Sequence, residues 1–208
     1  VNRIVNLSLA ILLSLVLVPL FAVIAVAIKL SSPGPVLYTQ TRVGLDRRWR
    51  RRISREQRRT QDLGGQPFAI YKFRSMRLDA ETETGAVWAT VNDPRVAPLG
   101  RILRKYHLDE IPQLINVIRG EMNFVGPRPE RPIIVARLRE NIDEYPLRHR
   151  VKPGITGLAQ ITQRYDSCLD DVRRKVSYDV QYLGRQSLWL DFVILLRTAP
   201  AVLTNRQS

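Results

Sequence analysis

The sequence predicts an α+β, mostly helical protein tied to a membrane by its N-terminal segment. Three observations carry this. Residues Ile4 to Ile28 contain no charge and are flanked by Arg3 and Lys29, and a run of that length reads as a membrane segment. Two stretches, Val36–Arg42 and Phe68–Arg74, are rich in β-formers and read as strands of a small β-hairpin. Several later segments place apolar residues at helical spacing. The 208 residues are 45% hydrophobic and 25% charged, which suits one packed domain beside the membrane segment and argues against wholesale disorder. The division expected is residues 1–30 in the membrane and residues 31–208 outside it.

The apolar run has three readings. Ala25-Val26-Ala27 looks like a signal-peptide cleavage site, but the run is too long and opens with almost no basic residues. Pro19 lies inside it. A helix proline loses one backbone bond and crowds the carbonyl of Leu15, so a kink is expected there. The arm Ile4–Val18 is about 22 Å long at 1.5 Å per residue, too short for a hydrocarbon core of about 30 Å. A re-entrant helix hairpin returns both ends to one side. Basic residues at both ends fit a cytoplasmic location for each. A single span with a mild kink is the other reading.

Pro33-Gly34-Pro35 ends the segment in a turn. Between the two strands, residues 47–59 carry eight arginines around Trp49. Such a loop suits anionic lipid or nucleic acid, or is simply solvated. Leu99–Tyr106 reads as a short basic helix. Glu110–Ile118 is a clearer one, with Ile111, Leu114, Ile115 and Ile118 on one face and Gly120 as its stop. Glu130–Arg139 and Leu169–Leu183 are also expected to be helical. Ser187–Leu203, which holds Trp189, is interrupted by Asp191, Arg197 and Pro200. It is too broken to span, and either lies in the membrane interface or packs in the core.

Chemistry is bounded by charge and by rare residues. The net charge is +14, nearly all from arginine, and so basic a surface seeks nucleic acid, acidic lipid or phosphorylated ligands. A single cysteine excludes an intrachain disulfide, and with two histidines a Cys/His zinc site is disfavoured. A catalytic metal would take oxygen ligands, as Mg²⁺ or Mn²⁺ does. Asp109-Glu110 begins the helix Glu110–Ile118. The helix N-terminus is expected to keep Asp109 ionised, able to attack phosphorus or ligate Mg²⁺. Plain N-capping is the alternative. Gly126-Pro127-Arg128-Pro129 fixes Arg128 between two prolines, a preorganised phosphate ligand or a rigid turn. Lys72 and Arg74 alternate on one strand face, and Arg101, Arg104 and Lys105 precede Asp109. Together these residues suggest an anion-binding basin around one acidic pair.

Six ordered stretches then carry a resemblance. They are residues 32–40 (SPGPVLYTQ), 71–76 (YKFRSM), 103–105 (LRK), 108–114 (LDEIPQL), 126–129 (GPRP) and 152–160 (KPGITGLAQ). The chain resembles the bacterial sugar transferases, monotopic phosphoglycosyltransferases that start exopolysaccharide, O-antigen and glycoprotein glycan assembly. Residues 187–191 (SLWLD) look like the tail of exopolysaccharide-type members, and lean toward a neutral hexose. The resemblance implies a catalytic domain over 31–208, on the cytoplasmic face of the bacterial inner membrane. Its membrane helix would be re-entrant at Pro19, with amphipathic interfacial helices, Trp189 among them, around the active site. Asp109 would attack the β-phosphate of a UDP-sugar, release UMP and pass the sugar phosphate to polyprenyl phosphate. Glu110 would assist Mg²⁺ binding with Asp109, Arg128 would hold a phosphate and Arg104 would support the acids. Partners would be UDP-sugar, polyprenyl phosphate and membrane lipid, not nucleic acid. Two features depart from the family: Val18 where many members have Ser before the proline, and a longer Arg-rich loop. Either a minimal member or the catalytic part of a larger one is expected. The alternative reading is a membrane-tethered basic protein that binds nucleic acid or acts as a scaffold.

Overall fold

The computed structural model describes residues 3–47, 64–77, 80, 93–163 and 168–203. Most of the Arg-rich loop, from residue 48 onward, lies outside them, and with it the choice between lipid, nucleic acid and solvent.

Helix α1 spans Arg3–Ser31. A kink at Pro19 was expected, in a re-entrant hairpin or a mildly bent span; α1 is one helical element through Pro19. A proline deletes a single N–H from the ladder, and the bonds on either side continue the helix. Along α1, Asn6, Ala10, Ile24 and Ile28 are buried. Leu9, Leu13 and Leu17 pack against one core cluster, and Leu20 and Phe21 against another. The spacing of three and four residues makes one continuous packed stripe. The opposite face leaves Leu12, Leu15, Val16, Val18, Val23 and Val26 exposed. Pro19 is on this bare side too.

Both ends of α1 are fastened to the same body. At the start, the Arg3 guanidinium donates to the carbonyls of Val117 and Ile118, and the Asn6 Oδ1 accepts from the Phe124 N–H at 2.9 Å. At the end, Ile24 and Ile28 pack with Phe73 and Leu103. The Arg74 side chain donates to the carbonyls of Ser32 (2.8 Å) and Pro33 (2.6 Å) and to the Ser32 hydroxyl (2.9 Å).

Strands β1 (Leu37–Val43) and β2 (Pro67–Phe73) pair antiparallel, with Tyr38 opposite Lys72. The outer edge of β2 is covered by a side chain. Asn116 donates to the Ala69 carbonyl at 2.7 Å and accepts from the Tyr71 N–H at 3.1 Å, as a neighbouring strand would. After α2 (Pro98–Lys105) comes the segment where expectation and structure part. Leu108–Gln113 is a 3₁₀ turn, and only Leu114–Arg119 is α-helical, as α3. Pro112 has no N–H to give, so the turn closes through bonds such as Glu110 N–H to the His107 carbonyl (3.2 Å). Gly120 ends α3 with φ 79°, as its position predicts.

Strands β3 (Asn123–Val125) and β4 (Gly154–Thr156) form a parallel pair. A Cβ on Gly154 would lie 2.1 Å from the Gly126 nitrogen, so only glycine lets the two chains approach. Helices α4 (Pro132–Asn141), α5 (Leu158–Thr162), α6 (Leu169–Arg185) and α7 (Leu188–Leu203) complete the body, with a second 3₁₀ turn at Tyr145–Arg150. The interrupted tail is therefore one helix. It buries Asp191 and Ile194 and exposes Leu188, Trp189, Phe192 and Leu196. Tyr182 bonds the buried Asp191 carboxylate at 2.7 Å, which lets an acid sit on the packed face.

Candidate active site

The candidate site is assembled by three elements. Strand β2 brings Lys72, the 3₁₀ turn brings Asp109 and Glu110, and the loop after β3 brings Arg128. Lys72 donates to Glu110 Oε1 at 2.6 Å, and Arg128 forks onto both oxygens of the same carboxylate, with Nη1 to Oε2 at 3.2 Å. Burial alone would push Glu110 up. The charges and hydrogen bonds of Arg128 and Lys72 hold it well below the usual carboxylate range.

Asp109 is 6% exposed and has no hydrogen-bond or ion-pair partner among the described residues. Burial pushes its carboxyl above the ordinary value, with the Glu110 charge adding and Lys72, Arg104 and His107 opposing. The expected stabilisation by an α-helix N-terminus is thus replaced by a buried acid on a 3₁₀ turn. Before it, His107 takes φ 52°, a left-handed conformation uncommon outside glycine that clusters at functional sites. The His107 Nε2 is buried without a partner among the described residues. Burial also lowers its pKa.

The remaining candidates divide. Arg104 is close enough to act on Asp109. Arg101 and Lys105 are exposed on α2. Arg74 is withdrawn from the list of phosphate ligands: it is 8% exposed and its guanidinium caps the end of α1. Although it follows Lys72 by two residues, its charge is engaged by the carbonyls of Ser32 and Pro33, just past α1, and of Ile28 in its last turn. Lys72 and Arg128 are on hand for an anion, but through Glu110 rather than as unengaged cations.

Other residues around the loop escaped the sequence reading. Glu130 is bonded by Lys175 (3.2 Å) and Arg42 (3.5 Å), and its pKa is lowered to about 2: burial opposes, and those cations prevail. Arg148 and Asp179 form a buried pair at 2.9 Å. His149, 5% exposed, lines a small cavity behind Arg128, and its Nδ1 has no partner among the described residues. No spacing signals these contacts, which join residues up to 88 positions apart.

A divalent cation can be weighed on these groups. Among the described residues no cluster of three His, Cys, Asp or Glu side chains could hold a metal. Asp109 offers oxygens without a partner among the described residues, whereas both oxygens of Glu110 are bonded to cations. The donor set fits an ion that takes most of its ligands from bound phosphate and water, as Mg²⁺ does.

The class is therefore an α+β protein with a long apolar N-terminal helix and a buried carboxylate pair in a cationic cradle. The chain belongs to the bacterial sugar transferase family, whose profile matches residues 1–205. It is 41% identical over 187 residues to a UDP-N-acetylgalactosamine-undecaprenyl-phosphate N-acetylgalactosaminephosphotransferase of Aeromonas hydrophila, covering 90% of this chain and 40% of that protein. A UDP-glucose:undecaprenyl-phosphate glucose-1-phosphate transferase of Escherichia coli is 40% identical over 214 residues, covering 100% of this chain and 42% of that protein. One of the same name from Caulobacter vibrioides is 39% identical, with 98% of this chain and 70% of the relative covered. The chain thus spans about two fifths of the length of the first two relatives.

Proposed function

We propose that this chain transfers a hexose 1-phosphate from a UDP-sugar to undecaprenyl phosphate at the cytoplasmic face of the inner membrane. The observation that carries the reading is the contrast within one acidic pair. Glu110 is held by two cations, while its neighbour Asp109 has no hydrogen-bond or ion-pair partner among the described residues. The names of the relatives supply the substrates.

Asp109 Oδ attacks the β-phosphorus of the UDP-sugar, and the bond from that phosphorus to the bridging oxygen breaks. UMP leaves with the bridging oxygen and its electron pair. A polyprenyl phosphate oxygen then attacks the same phosphorus and displaces the Asp109 carboxylate, giving polyprenyl-diphosphate-sugar. Covalent catalysis divides one transfer between two anions into two easier ones. Lys72 and Arg128, on Glu110, set positive charge beside the diphosphate, and Arg104 adds to it from α2. Mg²⁺, with Asp109 and Glu110 as its nearest protein oxygens, would neutralise diphosphate charge when bound.

The helix α1 supports a monotopic arrangement. One face packs on the body along its length and both ends are tied to that body, so the bare apolar face is what remains for lipid. The exposed Trp189 face of α7 adds a second apolar surface. UMP release across a set of UDP-sugars, with Mg²⁺ and a membrane extract, tests the function. Release lost in Asp109→Asn supports it, and release by none of the sugars, with binding to RNA or DNA instead, would favour a nonenzymatic basic protein.

A further inference from the structure

The loop that carries Arg128 has an unusual bonding problem. Pro127 and Pro129 have no N–H, so residues 127–130 present four backbone carbonyls and only two backbone donors. All four carbonyls are nevertheless met. Pro127 accepts from the Gly154 N–H (3.0 Å) and Glu130 from the Val43 N–H (2.9 Å). Arg128 accepts from Arg148 Nη2 (2.9 Å), and Pro129 from Arg42 Nη1 (3.2 Å). Upstream, the Gly126 N–H is fixed to the Thr156 carbonyl at 2.9 Å. The loop is pinned carbonyl by carbonyl, twice by guanidinium groups.

Arg148 is itself oriented on every side. Its Nε reaches Asp179 Oδ2 at 2.9 Å and its Nη1 the Tyr145 hydroxyl at 2.9 Å. Both charged side chains are 2% exposed. A buried ion pair is a poor source of stability compared with apolar residues of the same volume. The geometry that this pair holds is a better account of why it is there.

We infer that Arg148, oriented by Asp179 and Tyr145, is a positioning residue for Arg128: it holds the Arg128 carbonyl so that the guanidinium forks onto Glu110. The inference rests on the proposed function for its catalytic consequence, but its structural half is independent. Arg128 grips Glu110 from a separate element, so a shift of the loop breaks the fork. Displacements of about 1 Å in catalytic machinery can cost about 100-fold in rate.

The test replaces the pair together, R148M with D179L, which leaves no unpaired buried charge. Amide hydrogen exchange should accelerate at least about tenfold in a peptide covering residues 124–131, with little change in peptides over β1 and β2. The kcat/KM for UMP release should fall at least about tenfold with Arg128 present, and less than about twofold in an R128A background, as coupling requires. Unchanged exchange at residues 124–131, or equal rate losses in both backgrounds, would overturn the inference. Faster exchange in a protein whose wild-type form releases no UMP would uphold the positioning and refute the proposed function instead.

Discussion

At Asp109 and Glu110, one peptide bond separates two carboxylates with opposite surroundings. Glu110 keeps its charge to well below 4.5 because Arg128 and Lys72 outweigh its burial. Asp109 is raised above 3.8 by burial first. A nucleophilic carboxylate must be ionised, so the acid limb of the pH–rate profile should belong to Asp109 and lie above the ordinary aspartate range. E110Q removes a neighbouring negative charge and should move that limb to lower pH while reducing the rate. A limb that stays put or moves up would contradict the assignment. R74M should cost about 1–3 kcal/mol of stability in denaturant unfolding, yet leave KM for the UDP-sugar within about twofold. A large rise in KM would return Arg74 to the substrate. Four residues also mark what the sequence revealed at this scale. Asp109-Glu110 and Arg128 could be picked out because an acidic pair and a Pro-Arg-Pro loop are local patterns. Arg74 misled because strand alternation gives the face of a side chain but not what that face meets, here the carbonyls of Ser32 and Pro33.

Among the elements, the hairpin was legible because β-formers in two short runs set both strands to within a residue. The helix over 110–118 was only half right. Of its expected apolar face, Ile111 and Leu114 pack in the core, but Ile118 is exposed and Val117 is buried instead. Pro112 turns the start into 3₁₀ geometry, and the left-handed His107 before it leaves no local pattern. Asn116 was missed for another reason: it is fully buried by an edge 45 residues away. N116L should therefore strand one donor and one acceptor of β2, and destabilise the protein by about 2–4 kcal/mol in urea unfolding. A loss below about 0.5 kcal/mol would mean that water serves the edge equally well. For α7, the sequence left interface and core open; the structure packs the face of Ile194 and leaves the face of Trp189 and Phe192 exposed. Replacing Trp189 and Phe192 together by Ser should weaken sedimentation with anionic liposomes several-fold while Ile194 keeps the helix packed. Unchanged sedimentation would remove α7 from the membrane surface.

For the molecule as a whole, the long apolar run was plain, but its relation to the rest was not. Arg3 read as a flank of a membrane segment, whereas it is a clasp on α3. With both ends held, cysteines placed at Asn2 and at Ser32 in a Cys168→Ser background should label from the same side of the membrane. Labelling of Asn2 only from outside the cell would mean that α1 crosses. Stability should also fall in acid through His149. Burial holds its pKa to about 3, below the ordinary 6.5, so the neutral form belongs to the folded state. Its contribution is complete above about 6.5 and is lost as pH drops toward 3, at about 1.4 kcal/mol per pH unit. H149F should flatten that slope in thermal melts from pH 6.5 to 4, and an unaltered slope would show that another group titrates. The most direct test of the central claim is intact and peptide mass spectrometry after mixing the protein with UDP-sugar and Mg²⁺, with no polyprenyl phosphate. The account predicts a hexose-phosphate adduct on Asp109 that disappears when the lipid acceptor is added. An adduct on another residue, or UMP release with none, would contradict it.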